Sequence, residues 1–175
     1  ASLRQELGLP DDTVLIGLVA RFDPMKDHAS FLHAAAELLS TDTKSHFVLA
    51  GGGVDQDNGP LNALIDELGV RKWIHLLGRR DDVPRLTAGL DIATCCSLGE
   101  GFPNVVGEAM ACGVPVISTR GGALPEVVGD CGVLVEPKDS QGLAAAILDL
   151  LNRPDELERL ASIGRKRIEQ QFQWS

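Results

Sequence analysis

Six short apolar runs recur along this 175-residue chain, at residues 14–20, 46–50, 73–77, 91–96, 115–119 and 132–135. Most of the segments between them place apolar residues at helical spacing, such as Phe31, Ala34, Ala35, Leu38 and Leu39. The runs do not alternate polar with apolar, so they suit strands covered on both faces. Strands of that kind alternating with helices mean repeated βαβ units. The expected fold is therefore α/β: a doubly wound, Rossmann-like parallel sheet of about six strands with helices on both faces.

Helices are expected over residues 30–39 (Asp27 a candidate cap), 61–68, 83–90, 103–112, 125–128, 142–151 and 155–172. In an open parallel sheet ligands bind beyond the carboxyl ends of the strands, so those ends are where function should be sought. The first strand leads to Arg21 and Lys26, the second to Gly51, Gly52 and Gly53, and the third to Gly78, Arg79 and Arg80. The fourth leads to a turn running from Ser97 through Glu100 to Phe102, and the fifth to Arg120, Gly121 and Gly122.

The formal net charge of −9 argues against nucleic acid or an anionic membrane as partner, which makes basic groups at three strand ends more informative. Arginine, bare backbone and a helix start at Pro103 together suit a phosphate ester. That helix is otherwise small or apolar apart from Asn104 and Glu108, four residues apart on one face, and reads as buried nearly all round. A carboxylate at Glu108 would then need a partner or a cleft.

Several chemistries are excluded. The turn after the first strand reads A-R-F-D-P-M-K-D, without the G-x-G-x-x-G of dinucleotide enzymes. Neither a phosphate loop of the G-x-x-x-x-G-K-[ST] type nor a G-x-S-x-G nucleophile elbow occurs. His33 and His75 sit in apolar patterns and read as structural, Asp91 reads as a structural acid, and His28 at a helix start suits either role. Cys95, Cys96, Cys112 and Cys131 lack C-x-x-C spacing and read as reduced thiols of a cytoplasmic protein. No apolar run reaches the roughly 18 residues of a membrane span, and no signal-peptide pattern opens the chain.

Arg21 followed five residues later by Lys26, E-G-F-P-N from Glu100 to Asn104, and E-A-M-A-C-G-V-P-V-I from Glu108 resemble the donor-binding half of GT-B glycosyltransferases. The resemblance is to the large retaining family 4 and runs from about Thr13 to Ser175. It implies that Arg21 and Lys26 grip the donor diphosphate and that Glu100 binds hydroxyls of the transferred sugar, making these three the catalytic candidates. It further implies that amides around Gly101, Phe102 and Asn104 meet the sugar or phosphate, and that Glu108 accepts both ribose hydroxyls. The base belongs near Leu77 and Arg79, at the end of the third strand.

The implied substrate is a nucleotide diphosphate sugar, with no metal or other cofactor. The implied partner is an N-terminal acceptor domain, so residues 1–12 read as a connector from it and residues 13–175 as the donor domain. On this reading the domain alone does not catalyse transfer, although the longer enzyme has room to act at the cytoplasmic face of a membrane. Ala20 and Asp27 stand where the family often has glycine, and Asp27 beside Lys26 would weaken its field. A non-hydrolysing UDP-sugar 2-epimerase-like domain and a non-catalytic nucleotide-binding module are the alternatives.

Overall fold

Each central strand sends successive side chains into two different cores. Leu15 faces one and Ile16 the other, and the alternation repeats at Phe47, Val48, Leu49 and Ala50. The computed structural model describes residues 1–41, 44–101 and 103–171. Its elements are α1 (Leu3–Glu6), β1 (Val14–Val19), α2 (His28–Leu39), β2 (Ser45–Ala50), α3 (Gly59–Leu68), β3 (Ile74–Leu76) and α4 (Val83–Ala88). They continue with β4 (Ile92–Cys95), α5 (Asn104–Ala111), β5 (Val116–Thr119), α6 (Leu124–Val128), β6 (Val133–Val135), α7 (Ser140–Leu151) and α8 (Pro154–Gln171).

The six strands form one parallel sheet in the order β3-β2-β1-β4-β5-β6. The register sets Ile74, Phe47, Ile16 and Ile92 in a single row across four strands. On that face α2, α3 and α7 bury Phe31, Leu61 and Ile147, and Phe31 meets Phe47 edge to face at 5.9 Å. Truncating an aromatic in such a core costs about 3–5 kcal/mol. The opposite face is covered by Leu86 of α4, Val106 and Met110 of α5, and Leu124 of α6. Helix α8 serves both, through Leu160 on one face and Ile168 on the other. Gly17 interrupts β1 because Leu90 fills the space a side chain would need; a Cβ there would lie 2.4 Å from its Cδ1.

Element ends differ from expectation mainly by one or two residues. β3 is shorter because Trp73 closes a 3-10 turn, Arg71–Trp73, and α5 starts at Asn104 with Pro103 as its cap. Gly113 takes a φ of 73° just past α5, the left-handed position that favours glycine.

Residues 1–12, expected as a connector, are docked on the domain. Ser2 and Gln5 form a reciprocal capping box, Leu3 is buried, and Arg4 binds Asp91 at 2.6 Å and the Thr13 carbonyl at 2.8 Å. Asp91 also accepts from the Leu15 amide, so it is a structural acid as expected. The four cysteines are free, and burial pushes the Cys96 thiol upward. Among the described residues no helix is long and apolar enough to cross a membrane.

Strand order reverses between β1 and β4, since β2 and β3 extend one way and β5 and β6 the other. A crevice at such a switch point, beyond the carboxyl ends of the two strands, is where doubly wound sheets bind ligands.

Candidate functional site

The loops after β1 and β4 meet at that switch point. After β1 the chain stays beside the loop following β2, with Ala20 donating to the Ala50 carbonyl and Phe22 to that of Gly52. Gly51 makes the approach possible: its φ is 144°, and a Cβ there would sit 2.2 Å from the Ala20 oxygen. Asp23 then accepts from the Met25 amide and starts a 3-10 turn, Pro24–Lys26. Asp27 follows at a φ of 52° and caps α2 through the Ser30 amide and hydroxyl. The Asp27 carboxylate is thus held by Ser30.

Lys26 reaches across the crevice to Glu100. Its ammonium donates to Glu100 Oε1, and the Ser97 hydroxyl donates to the same oxygen at 2.6 Å. Glu100 Oε2 has no partner among the described residues. The Leu98 amide donates to the Met25 carbonyl, binding the two loops together by backbone as well.

The loop after β5 walls Glu100 from the other side. Thr119 donates to the Ser97 carbonyl at 2.5 Å and Ala123 to the Glu100 carbonyl at 2.8 Å. A Cβ on Gly121 would lie 2.4 Å from the Leu98 oxygen, and one on Gly122 2.5 Å from the Glu100 oxygen. Both glycines are legible as turn residues, but their work as the seat of Glu100 is visible only in three dimensions. Ser97 and Thr119 were likewise missed as supports of that carboxylate.

Arg21 is largely exposed and 3.8 Å from Asp23, a loose pairing that leaves its guanidinium open to solvent. Leu77 is half-buried and its amide donates to the Leu49 carbonyl, whereas Arg79 is exposed and has no partner among the described residues. Both lie at the end of β3, two strands or roughly 10 Å of sheet from β1. The expected grouping of arginines is smaller than the sequence suggests. Arg80 turns to Asp82 and Glu6, at 2.8 and 3.0 Å, and Arg120 to Glu136 at 3.0 Å.

No side chain caps α5, unlike α2, α3 and α7, which Asp27, Asn58 and Asp139 cap. The expected burial of Glu108 is wrong. Val106, Gly107, Ala109 and Met110 form the buried face of α5, while Asn104 and Glu108 share an exposed one. Small residues around the helix made it read as enclosed, yet its outer stripe is uncovered. Gly101 is exposed at the loop tip, and Phe102 lies outside the described residues.

His28 is a support that sequence reasoning left open. It is buried, and its Nε2 lies 3.2 Å from the Ala20 carbonyl, which can only accept, so Nε2 carries the proton. Nδ1 is then a buried acceptor without a partner among the described residues. Burial holds this imidazole below the ordinary histidine range. Beside it a cavity of about 270 Å³ opens between Phe22, Pro24, Leu61 and Leu64.

A doubly wound α/β sheet with a lysine, a carboxylate and an uncapped helix start at its strand-switch crevice places its candidate ligand site there. Residues 13–153 match the family model "Glycosyl transferases group 1", and the chain belongs to that family. It is 37% identical to the MMP alpha-(1->4)-mannosyltransferase of Mycolicibacterium hassiacum, over 91% of this chain and 39% of that protein. It is 32% identical to the N-acetyl-alpha-D-glucosaminyl L-malate synthase of Bacillus anthracis, over 97% of this chain and 44% of that protein. The chain thus spans less than half the length of these relatives.

Among solved structures, Anabaena HepE in complex with UDP-glucose superposes with a TM-score of 0.88 at 30% identity, covering 97% of this chain and 47% of HepE. The C-terminal domain of LpcC from Francisella tularensis superposes with a TM-score of 0.85 at 29% identity, covering 98% of this chain and 91% of that domain. The fold is that of the donor-binding half of a GT-B glycosyltransferase.

Proposed function

We propose that this chain is the nucleotide-sugar-binding half of a retaining glycosyltransferase that moves a hexose-type sugar from a nucleotide diphosphate sugar to an acceptor. The observation that carries the reading is the meeting of Lys26 and Glu100 at the strand-switch crevice. HepE, similar over nearly this whole chain, has been solved with UDP and with UDP-glucose, which supports a nucleotide sugar as ligand.

In the proposed reaction the bond between the sugar's anomeric carbon and the β-phosphate oxygen breaks, and the electron pair stays on phosphate. The acceptor oxygen forms the new bond and gives up its proton to the departing phosphate oxygen. Negative charge therefore grows on the diphosphate, where Arg21 and Lys26 meet it and do the work a metal does in other transferases. Glu100 takes hydroxyls of the transferred sugar. The uncapped amides of α5 near Asn104, together with Gly101, face the phosphate or sugar. Glu108, exposed on α5, accepts the two vicinal ribose hydroxyls, and the base lies against Leu77 and Arg79. Reduced, unpaired thiols fit a cytoplasmic site of action.

The acceptor is expected to be held by a second domain, so this half alone is expected to bind donor without transferring sugar. A thermal-shift panel of UDP, GDP, ADP and NAD tests the reading. Stabilisation by at least one of the three diphosphates is expected, and stabilisation by NAD alone would overturn it.

A further inference from the structure

Lys26 and Glu100 hold each other in the free domain, yet the proposed reaction needs both of them for the donor. From this contact we infer that Glu100 discriminates between donor and spent nucleotide, favouring a sugar-bearing diphosphate and disfavouring the bare nucleoside diphosphate left after transfer. The inference rests on the donor reading above and assigns Glu100 a part in product release.

Both side chains are largely enclosed, with 22% of Lys26 and 16% of Glu100 exposed, so neither is freely solvated when its partner leaves. Glu100 cannot easily swing away. Ser97 grips Oε1, Thr119 fixes Ser97, and the backbone of Glu100 is seated on Gly122. A diphosphate entering the crevice draws Lys26 toward itself and leaves the Glu100 carboxylate with the Ser97 hydroxyl alone.

The two nucleotides differ in what they then offer. A donor sugar presents hydroxyls, which donate to Glu100 and replace the lost ammonium. A bare diphosphate presents only acceptors at that place, with one further negative charge on the terminal phosphate. A carboxylate short of donors beside an added like charge is repelled. Cleavage of the sugar–phosphate bond therefore turns the occupant from a partner of Glu100 into a group it repels, and Lys26 returns to Glu100 as the nucleotide leaves. Arg21, bound only loosely to Asp23, is available to both nucleotides and does not discriminate.

The test is calorimetric titration of the wild-type domain and Glu100→Gln with UDP and UMP, and with GDP and GMP. Glutamine keeps the size of the side chain and removes its charge. The expected result is that the variant binds the diphosphate about tenfold more tightly, with the monophosphate changed by less than about twofold because its phosphate lies farther from Glu100. Glu100→Ala is the second variant, with the same direction expected should glutamine disturb the fold. Unchanged or weaker diphosphate binding by a folded variant would overturn the inference, as would equal gains for mono- and diphosphate. Absence of binding by the wild type to every diphosphate tried would instead defeat the donor reading itself.

Discussion

Two charged clusters follow strands of this sheet, one around Arg80 after β3 and one in the strand-switch crevice, and they are built to opposite rules. Around Arg80 every charge is answered. Arg80 bonds Asp82 and Glu6, Arg85 bonds Asp82, and Arg85 also approaches Glu6 at 3.6 Å. These contacts hold the Asp82 carboxyl well below the usual carboxylate range and raise the Arg80 guanidinium. In the crevice the charges are answered incompletely. Arg21 has a loose carboxylate contact and Glu100 keeps one oxygen without a partner among the described residues; Arg79, two strands away at the end of β3, likewise has none. Neighbouring residues Arg79 and Arg80 thus fall into different classes. The satisfied cluster fastens α1 to the domain, and the incomplete one is left able to accept a ligand.

That contrast can be broken at either end. Outside the Lys26–Glu100 pair, the largest effect is expected at the exposed α5 carboxylate. Glu108→Gln should weaken UDP and uridine alike by about 1.5 kcal/mol, roughly tenfold, the size of a charged hydrogen bond. Calorimetry showing equal affinities for wild type and variant would remove the ribose from Glu108.

A smaller effect concerns pH and lies away from the crevice. His46 Nδ1 and His75 Nε2 face each other at 2.9 Å across β2 and β3, and burial lowers both imidazoles. Lys72 adds to the lowering of His46. A histidine lowered in the folded state binds fewer protons there than in the unfolded chain, whose imidazoles titrate near pH ~6.5. Stability should therefore be full above about pH 7 and fall as pH drops through about 6.5 toward the folded values. His28, lowered by burial, contributes in the same direction. Melting curves at several pH values should show a shallower fall for His75→Gln, with UDP affinity at neutral pH unchanged; an identical fall would show that the pair does not couple to folding.

The smallest effect is expected in the satisfied cluster. Arg80→Ala should lower the melting temperature by less than about 4 °C, since ion pairs whose carboxylates remain open to solvent contribute little. It should leave UDP binding as it was. A large loss of UDP affinity would mean that the two clusters are not separate in function.

Much of this contrast is invisible in one dimension. The six strands were legible because strands buried on both faces read as unbroken apolar runs, and Val14 to Val19 is such a run. Asp27 was legible as a cap because it precedes the helical pattern. Which way Arg80 turns was not legible, since it depends in part on Glu6, more than seventy residues earlier in the chain. Glu108 was misjudged because a helix of small residues looks enclosed until its neighbours are placed. The docking of residues 1–12 was not legible, although Ser2 and Gln5 carry the spacing of a capping box. Their docking depends on Arg4 finding Asp91, a pairing that no local pattern reveals.

The central claim is that the strand-switch crevice binds the diphosphate of a nucleotide, and Lys26 tests it most directly. Calorimetric titration of wild type and Lys26→Ala with UDP and with uridine separates the phosphate end from the nucleoside end. The account predicts a loss of at least about tenfold for UDP, the value of one charged contact, with uridine unaffected. Equal losses for the two ligands, or none for either, would contradict it.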